Sequence, residues 1–132
     1  MEVITQWDEK YSLNNPKIDE QHKELFRLSA LVELLNEKTT KKEIKELLKT
    51  FFNYMNEHFQ TEEEYMKSIN YPLLSKHKEL HRKIMEDFTT LIKKNNSLKT
   101  LQHEMKKATK KWLIEHILEN DLKIEKWRKV NS

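Results

Sequence analysis

A long apolar stripe between residues 40 and 69 is the feature that most constrains how this chain can fold. Its members recur at spacings of three and four residues, the period of an α-helix with one buried face: Ile44, Leu47, Leu48, Phe51, Phe52, Met55 and Phe59. His58 and Glu62 continue this face, and they project from the same side of the helix because they lie four residues apart. An imidazole and a carboxylate directed into a core are costly unless a partner satisfies them, and a metal ion satisfies both.

Three further segments carry the same helical period, so the sequence predicts four helices. The first is predicted to run to about Lys38, the second to about Ile69, and the fourth through His116. The signals that mark their beginnings are Asp19 as an N-cap, the capping box of Thr40 and Glu43, Pro72, and Ser97 as an N-cap. Short connections between amphipathic helices favour antiparallel neighbours.

The expected fold is therefore all-α, an antiparallel up-down-up-down four-helix bundle formed by a single domain of residues 1–132. An N-terminal arm (1–16) is expected to pack Trp7 and Tyr11 on the bundle (about 17–121), and a short helical tail (122–132) follows. The sequence has no glycine and two prolines, so few tight turns with positive φ are available. This scarcity argues against a multi-stranded β domain.

The composition excludes several classes of function. Without cysteine there are no disulfides, iron–sulfur clusters or thiolate zinc sites, which leaves histidines and carboxylates as ligands suited to iron, manganese or zinc. Acids and bases are interspersed with a net charge of +3, so we expect no nucleic-acid partner. No apolar run suits a membrane span, and the N-terminus lacks the features of a signal peptide. We expect a cytoplasmic protein, and its charged outer faces suit a monomer.

The histidines indicate a shared metal site. Five of the six lie on the predicted buried faces, and every helix contributes at least one: His22, His58, His77, His81 and His116. His77 and His81 repeat the four-residue spacing of His58 and Glu62, whereas His103 lies off the stripe and should be exposed. A hydrogen-bonded core histidine is the alternative for any one of the five alone, and for His22 or His116 it is an equally good explanation. Together they would need five separate partners in a small core, which favours a common cation.

Five segments resemble the hemerythrin family, in particular its single-domain bacterial members. They cover nearly the whole chain: Trp7-Asp-Glu-Lys-Tyr11, Ile18-Asp-Glu-Gln-His22, His58-Phe-Gln-Thr-Glu62-Glu63, His77-Lys-Glu-Leu-His81 and Trp112-Leu-Ile-Glu-His116-Ile-Leu-Glu-Asn-Asp121. The resemblance implies a non-haem site of two iron ions. One iron would be held by His77, His81 and His116, and the other by His22 and His58. Glu62 and Asp121 would bridge the two, together with an oxo or hydroxo group.

Asp121 has the spacing of the family but not that of an α-helix, and Asn14 departs from the family. Asp121 lies five residues after His116, about 140° away on a straight α-helix, so either the helix is distorted there or Asp121 reaches the metals from the flank. Helical spacing alone favours a solvated acid at this position. Asn14 replaces a glycine found in many bacterial members, and asparagine tolerates the left-handed backbone that such a turn needs.

The resemblance implies reversible O2 binding, with O2 held as a hydroperoxide, rather than an enzyme. With the family's ligands, the iron on His22 and His58 has one ligand fewer, so O2 would bind there. The expected dry pocket beside it is lined by Leu25, Phe59, Trp112, Ile117 and Leu118, although core packing also explains each of these residues except Leu118, which resembles the family's gating leucine. Glu63 and Glu64 are expected to be solvated or to support the ligands.

Three other functions use overlapping residues. The same iron site could serve a sensor of O2, NO or iron with an unidentified redox or signalling partner, or a di-iron repair protein or oxidase. A ferritin-like oxidase is disfavoured, because its Glu-x-x-His pairs and carboxylate-rich ligands are missing from the sequence. A structural or hydrolytic zinc site would need the same histidines without redox chemistry.

Overall fold

The computed structural model describes residues 7–93 and 97–131, and within them it contains helices and turns but no strand. The all-α four-helix bundle is confirmed. A short 3-10 turn, Glu9–Tyr11, precedes the bundle helices α1 (Pro16–Glu33), α2 (Lys41–Ser68), α3 (Leu74–Lys93) and α4 (Leu98–Lys111). A π-helical segment (Trp112–Asp121) then extends α4 and leads directly into α5 (Leu122–Asn131).

The four bundle helices close a ring around one apolar core. Helix α1 packs on α2 and α4, and α3 packs on the same two helices. Three aromatic side chains mark the core's centre, where Phe51 stacks on Phe88 at 5.6 Å between ring centroids and meets Trp112 edge-on at 6.0 Å. Aromatic pairs in these geometries stabilise a core beyond the effect of the apolar area that they bury. Each helix therefore presents one apolar face to the same interior, as its period predicts.

Local capping signals set two helix starts as expected. Thr40 accepts a hydrogen bond from the Glu43 backbone N–H while the Glu43 side chain accepts one from the Thr40 N–H, which completes the predicted capping box of α2. Ser97 caps α4 by accepting from the Thr100 N–H. The predicted break at residues 95–97 otherwise lies outside the described residues. These side chains satisfy backbone donors that the first helical turn leaves free.

Helix α1 begins earlier than predicted. Asn15, and not Asp19, is its N-cap, and Pro16 occupies the first helical position, where its missing N–H costs nothing. The Asp19 carboxylate accepts hydrogen bonds instead from the Ser12 hydroxyl at 2.6 Å and the Leu13 N–H at 2.9 Å. Asp19 therefore fastens the N-terminal arm to α1.

Helix α1 also ends earlier, at Glu33 and not near Lys38. The next residues contribute little apolar burial, since Leu34 is exposed. The Asn36 side chain accepts a hydrogen bond from the Lys38 N–H at 2.8 Å, and its backbone carbonyl accepts one from the Thr39 N–H. Asparagine commonly stabilises a turn in this way at the expense of the helix.

The arm and the tail pack onto the bundle. Trp7 and Tyr11 lie against Phe26, with ring centroids 6.0 and 5.7 Å away. Asn14 has a φ of 54°, the left-handed conformation anticipated for its position. In the tail, Trp127 on α5 meets Tyr71 at 5.8 Å. A second, smaller core lies beneath these segments and contains Leu13, Ile18, Met66, Tyr71 and Ile124.

No helix in the described part of the chain combines the length and apolar character needed to cross a membrane.

Candidate metal centre

The structure brings all seven predicted metal ligands together inside the bundle. Each is at most 3% exposed: His22, His58, Glu62, His77, His81, His116 and Asp121. His103, the sixth histidine, is exposed on α4, as its position off the stripe predicts. Helices α1, α2 and α3 and the π segment each contribute at least one of the seven. Folding therefore concentrates five imidazoles and two carboxylates where water does not reach.

The seven side chains form two overlapping groups. His77, His81 and His116 make up the three-histidine group, and His22 and His58 make up the two-histidine group. Glu62 and Asp121 belong to both. Within each group the candidate ligand atoms lie within 4.8 Å of one another. Two cations, one among each set of nitrogens, would share the two carboxylates.

Glu62 offers one oxygen to each group. Its Oε1 lies 2.9–3.4 Å from the Nε2 atoms of the three-histidine group. Its Oε2 lies 3.3 Å from Nε2 of His58 and 3.5 Å from Nε2 of His22. The two oxygens of one carboxylate thus face different sets of nitrogens, which is the arrangement of a bridging ligand.

Asp121, at the end of the π segment, also offers one oxygen to each group. Its Oδ1 lies 2.9 Å from Nε2 of His77 and 3.0 Å from Nε2 of His116, while its Oδ2 lies 3.0 Å from Nε2 of His22. The π segment makes this possible, because a π-helix joins residues five apart and so brings His116 and Asp121 to the same face one turn apart. The helix is distorted at this point, so Asp121 is not the solvated acid that helical spacing alone favours.

The buried carboxylates favour protonation of some of the surrounding histidines. Burial by itself lowers the pKa of His22 and His77, but the nearby carboxylates of Asp121 and Glu62 outweigh it and raise these values to about 9 and about 10. Burial prevails at His58, so its pKa is lowered. Burial favours the protonated form of Glu62 too, yet contacts with the surrounding imidazoles hold the pKa of this carboxyl well below its usual value. Without a metal, the cluster therefore balances its carboxylates with protons on some of the imidazoles.

Five polar atoms at the two-histidine group lack a hydrogen bond of acceptable geometry. They are Nδ1 and Nε2 of His22, Nε2 of His58, Oε2 of Glu62 and Oδ2 of Asp121, and all five are buried. Orphaned buried groups of this kind are rare in folded proteins unless a water or an ion completes them. Nitrogen and carboxylate donors suit a divalent transition metal such as iron. The residues present thus fit a metal ion at this position.

Two residues support the ligands, and only Glu63 was considered for this role from the sequence. Gln21 accepts a hydrogen bond through Oε1 from Nδ1 of His58 at 2.8 Å, and Glu63 accepts one through Oε2 from Nδ1 of His81 at 2.8 Å. The sequence left open whether Glu63 is solvated or supports a ligand, and its hydrogen bond to His81 shows that it supports a ligand. Gln21 directly precedes His22, and no sequence pattern indicates its contact with His58.

The apolar residues expected beside O2 lie near the metal centre, but they are not all on the expected side. Phe59 stacks on His81 at 3.9 Å between ring centroids and lies 5.7 Å from His58, and Trp112 stacks on His116 at 6.1 Å. The two rings thus cover mainly the three-histidine group. The ring of Trp7, from the N-terminal arm, lies 6.3 Å from that of His22.

The remaining expected pocket residues belong to the same core. Leu25 and Ile117 are fully buried in it, and Leu118 is half-buried and packs against it. Leu118 also borders a surface groove between the arm and α5, next to Ser12 and Leu122. Leu118 therefore lies between the core and the surface.

Comparison with known proteins agrees with this geometry. Residues 15–127 match the family model described as the hemerythrin HHE cation binding domain. A bacteriohemerythrin of Campylobacter jejuni is 32% identical over 118 residues, which cover 88% of this chain and 89% of that protein. The myohemerythrin of Theromyzon tessulatum is 33% identical over 118 residues, with 89% and 88% covered, and a bacteriohemerythrin of Clostridium acetobutylicum is 34% identical over 122 residues, with 87% and 94% covered.

The chain belongs to the hemerythrin family. The matched region includes every one of the seven buried donors, from His22 to Asp121. Family membership and the buried donor set together support a di-iron, O2-binding fold. The hemerythrin match also begins at Asn15, the residue that caps α1, so it spans the whole bundle and most of α5.

Proposed function

We propose that this hemerythrin binds O2 reversibly at two iron ions, as a carrier, store or scavenger of O2, and that it is not an enzyme. The proposal is based on the way in which the two oxygens of each bridging carboxylate face different histidine groups. Glu62 and Asp121 each direct one oxygen to the three-histidine group and the other to the two-histidine group. Two metals held in this way share their ligands and can act on one small molecule together.

The ligand assignment follows the two groups. His77, His81 and His116 would hold one iron, His22 and His58 would hold the other, and Glu62 and Asp121 would bridge them. The protein offers five donor side chains to the first metal and four to the second. The second metal therefore has the position left open for an external ligand.

Two ferrous ions in this site would supply two electrons and an open coordination position to O2. The role of the chain is to hold those ions with ligands that do not exchange and to keep the surroundings dry. All seven donors are nearly inaccessible to solvent, and Phe59 and Trp112 cover the imidazoles on one side. Exclusion of water suppresses the proton delivery that would turn reversible binding into irreversible oxidation.

The arm completes the cover on the other side. Trp7 lies beside His22, and its ring also contacts Tyr11 of the arm and Phe26 of α1. Asp19 holds the arm through Ser12 and Leu13. The arm thereby shields the two-histidine group, where the open position lies. Leu118 would act as the gate, since it lies between the core and a surface groove.

The test is a visible spectrum of the iron-loaded, anaerobically reduced protein, recorded before air is admitted, in air, and after the air is removed. Two irons per chain and an absorption band that appears with O2 and vanishes without it are expected. A single oxidation with no reversible band would refute reversible binding and favour an oxidase, repair or sensor function. Exclusive binding of zinc would refute the redox function altogether.

A further inference from the structure

Among the residues that the structure describes, two of the five imidazoles at the metal centre donate a hydrogen bond from Nδ1 to another side chain, and the two acceptors differ in charge. The amide oxygen of Gln21 accepts a hydrogen bond from Nδ1 of His58, and the carboxylate of Glu63 accepts one from Nδ1 of His81. Both distances are 2.8 Å. His58 belongs to the two-histidine group and His81 to the three-histidine group, so each metal position has one such contact.

A short hydrogen-bonded relay fixes the orientation of the Gln21 amide. The Thr61 hydroxyl donates its proton to the Glu57 backbone carbonyl at 3.2 Å, so it can only accept from Gln21, whose Nε2 lies 3.2 Å away. The amide NH2 therefore faces Thr61 and the amide oxygen faces His58. Consequently the proton of His58 lies on Nδ1, and the lone pair of Nε2 is free toward the metal position.

Glu63 produces the same tautomer at His81 by a stronger contact. A carboxylate only accepts hydrogen bonds, so Nδ1 of His81 must carry the proton and Nε2 remains free to bind a metal. A charged acceptor forms a shorter and stronger hydrogen bond than a neutral amide. An imidazole polarised by a carboxylate is also a more basic ligand.

We propose that Gln21 and Glu63 are positioning residues that preset His58 and His81 for metal binding and make the two metal positions electronically unequal. In the three-histidine group, His81 donates to the carboxylate of Glu63 and is therefore the more basic ligand. In the two-histidine group, His58 donates to the neutral amide of Gln21. The metal of the three-histidine group therefore receives more electron density. If the site holds two irons, as proposed above, the iron of the three-histidine group has the lower reduction potential. This consequence rests on the proposed di-iron function.

The first experiment measures the midpoint potential of the iron-loaded protein after Glu63→Gln. This change keeps an oxygen acceptor for His81 and removes only the charge, so the potential should rise. Glu64→Gln is the matched control, because it makes the same chemical change at the next residue on an exposed side chain. Equal potentials in the two variants would overturn the electronic inequality.

The second experiment does not depend on iron or on redox chemistry. In the zinc-loaded protein with 15N-labelled histidines, the Nδ1 proton of His81 should give a low-field NMR signal that moves upfield in Glu63→Gln and stays in place in Glu64→Gln. An unchanged His81 signal would overturn the role of Glu63. A protein that gives this result with zinc but never binds iron would refute the proposed function and still support the positioning role.

The relay is tested by removing its anchor. Thr61→Val leaves Gln21 free to turn, so zinc affinity should fall by at most about 10- to 100-fold, the effect of removing the direct partner of a ligating histidine. Thr61→Ser restores the hydroxyl and should restore the affinity. The same zinc affinity in all three proteins would overturn the relay.

Discussion

Replacing Glu62 with glutamine tests how much the metal centre depends on one carboxylate. The substitution preserves the size and shape of the side chain but removes its charge and replaces one acceptor oxygen with an NH2 group. That carboxylate faces the Nε2 atoms of all five buried histidines at 2.9–3.5 Å. The change should therefore affect both metal positions at once.

The size of the effect follows from burial. Breaking a buried ion pair by neutralising one partner costs about 3–5 kcal/mol. The lower end applies here, because Asp121 remains within 3.0 Å of His22, His77 and His116 and continues to compensate them. The metal-free protein should lose about 3 kcal/mol of unfolding free energy, which corresponds to a decrease in Tm of about 10 °C for a domain of this size.

The assay combines thermal unfolding of the metal-free protein with metal analysis after loading. Glu62→Gln should retain fewer than two irons per chain, because it removes a ligand that both positions share. Glu64→Gln carries the same change at an exposed position of the same helix, and it should match the unmodified protein in both measurements. If Glu62→Gln held two irons and unfolded at the same temperature as Glu64→Gln, Glu62 could not be the bridging ligand.

Three further predictions concern the ligands, the gate and the pH dependence. His81→Ala should lose metal, whereas His103→Ala should not, because His103 is exposed; equal metal contents would contradict the assignment. Leu118→Ala should keep both irons but oxidise faster in air, and an unchanged autoxidation rate would remove Leu118 from the gate. The metal-free protein should lose stability in urea denaturation as the pH rises from 6.5 to about 10, because the folded state raises the pKa of His22 and His77. Stability that stays constant across this range would contradict the protonated cluster.

Local patterns were sufficient for most of the fold. The apolar period from Ile44 to Phe59 and the Thr40 capping box predicted α2 nearly to the residue, because both signals act within a few turns of helix. The start of α1 was predicted less well. Asn15 and Asp19 are both good N-caps, and the decision depends on Pro16, which favours the first helical position.

Asp121 shows where helical spacing is insufficient. Five residues after His116, it appeared to face away from the site, since the expectation assumed the period of an α-helix. The π segment changes that period, because its hydrogen bonds join residues five apart and not four. Only the resemblance to hemerythrins kept Asp121 among the candidates.

The hydrogen bonds of Gln21 and Glu63 to the ligands depend on contacts between helices, so the sequence did not predict them. Gln21 and His58 are 37 residues apart, and Glu63 and His81 are 18 apart. Neither pair follows from the period of one helix, because each requires the packing register of two. The positions of Phe59 and Trp112 relative to the two histidine groups depend on the same register.

The most direct test of reversible O2 binding is gas uptake by the reduced, iron-loaded protein. The protein is equilibrated with a known amount of O2 in a closed vessel, and the gas is then withdrawn and measured. The account predicts that one O2 is taken up for every two irons and is recovered as O2, with the iron ready for another cycle. Uptake that yields hydrogen peroxide or water, and leaves the iron oxidised, would contradict it.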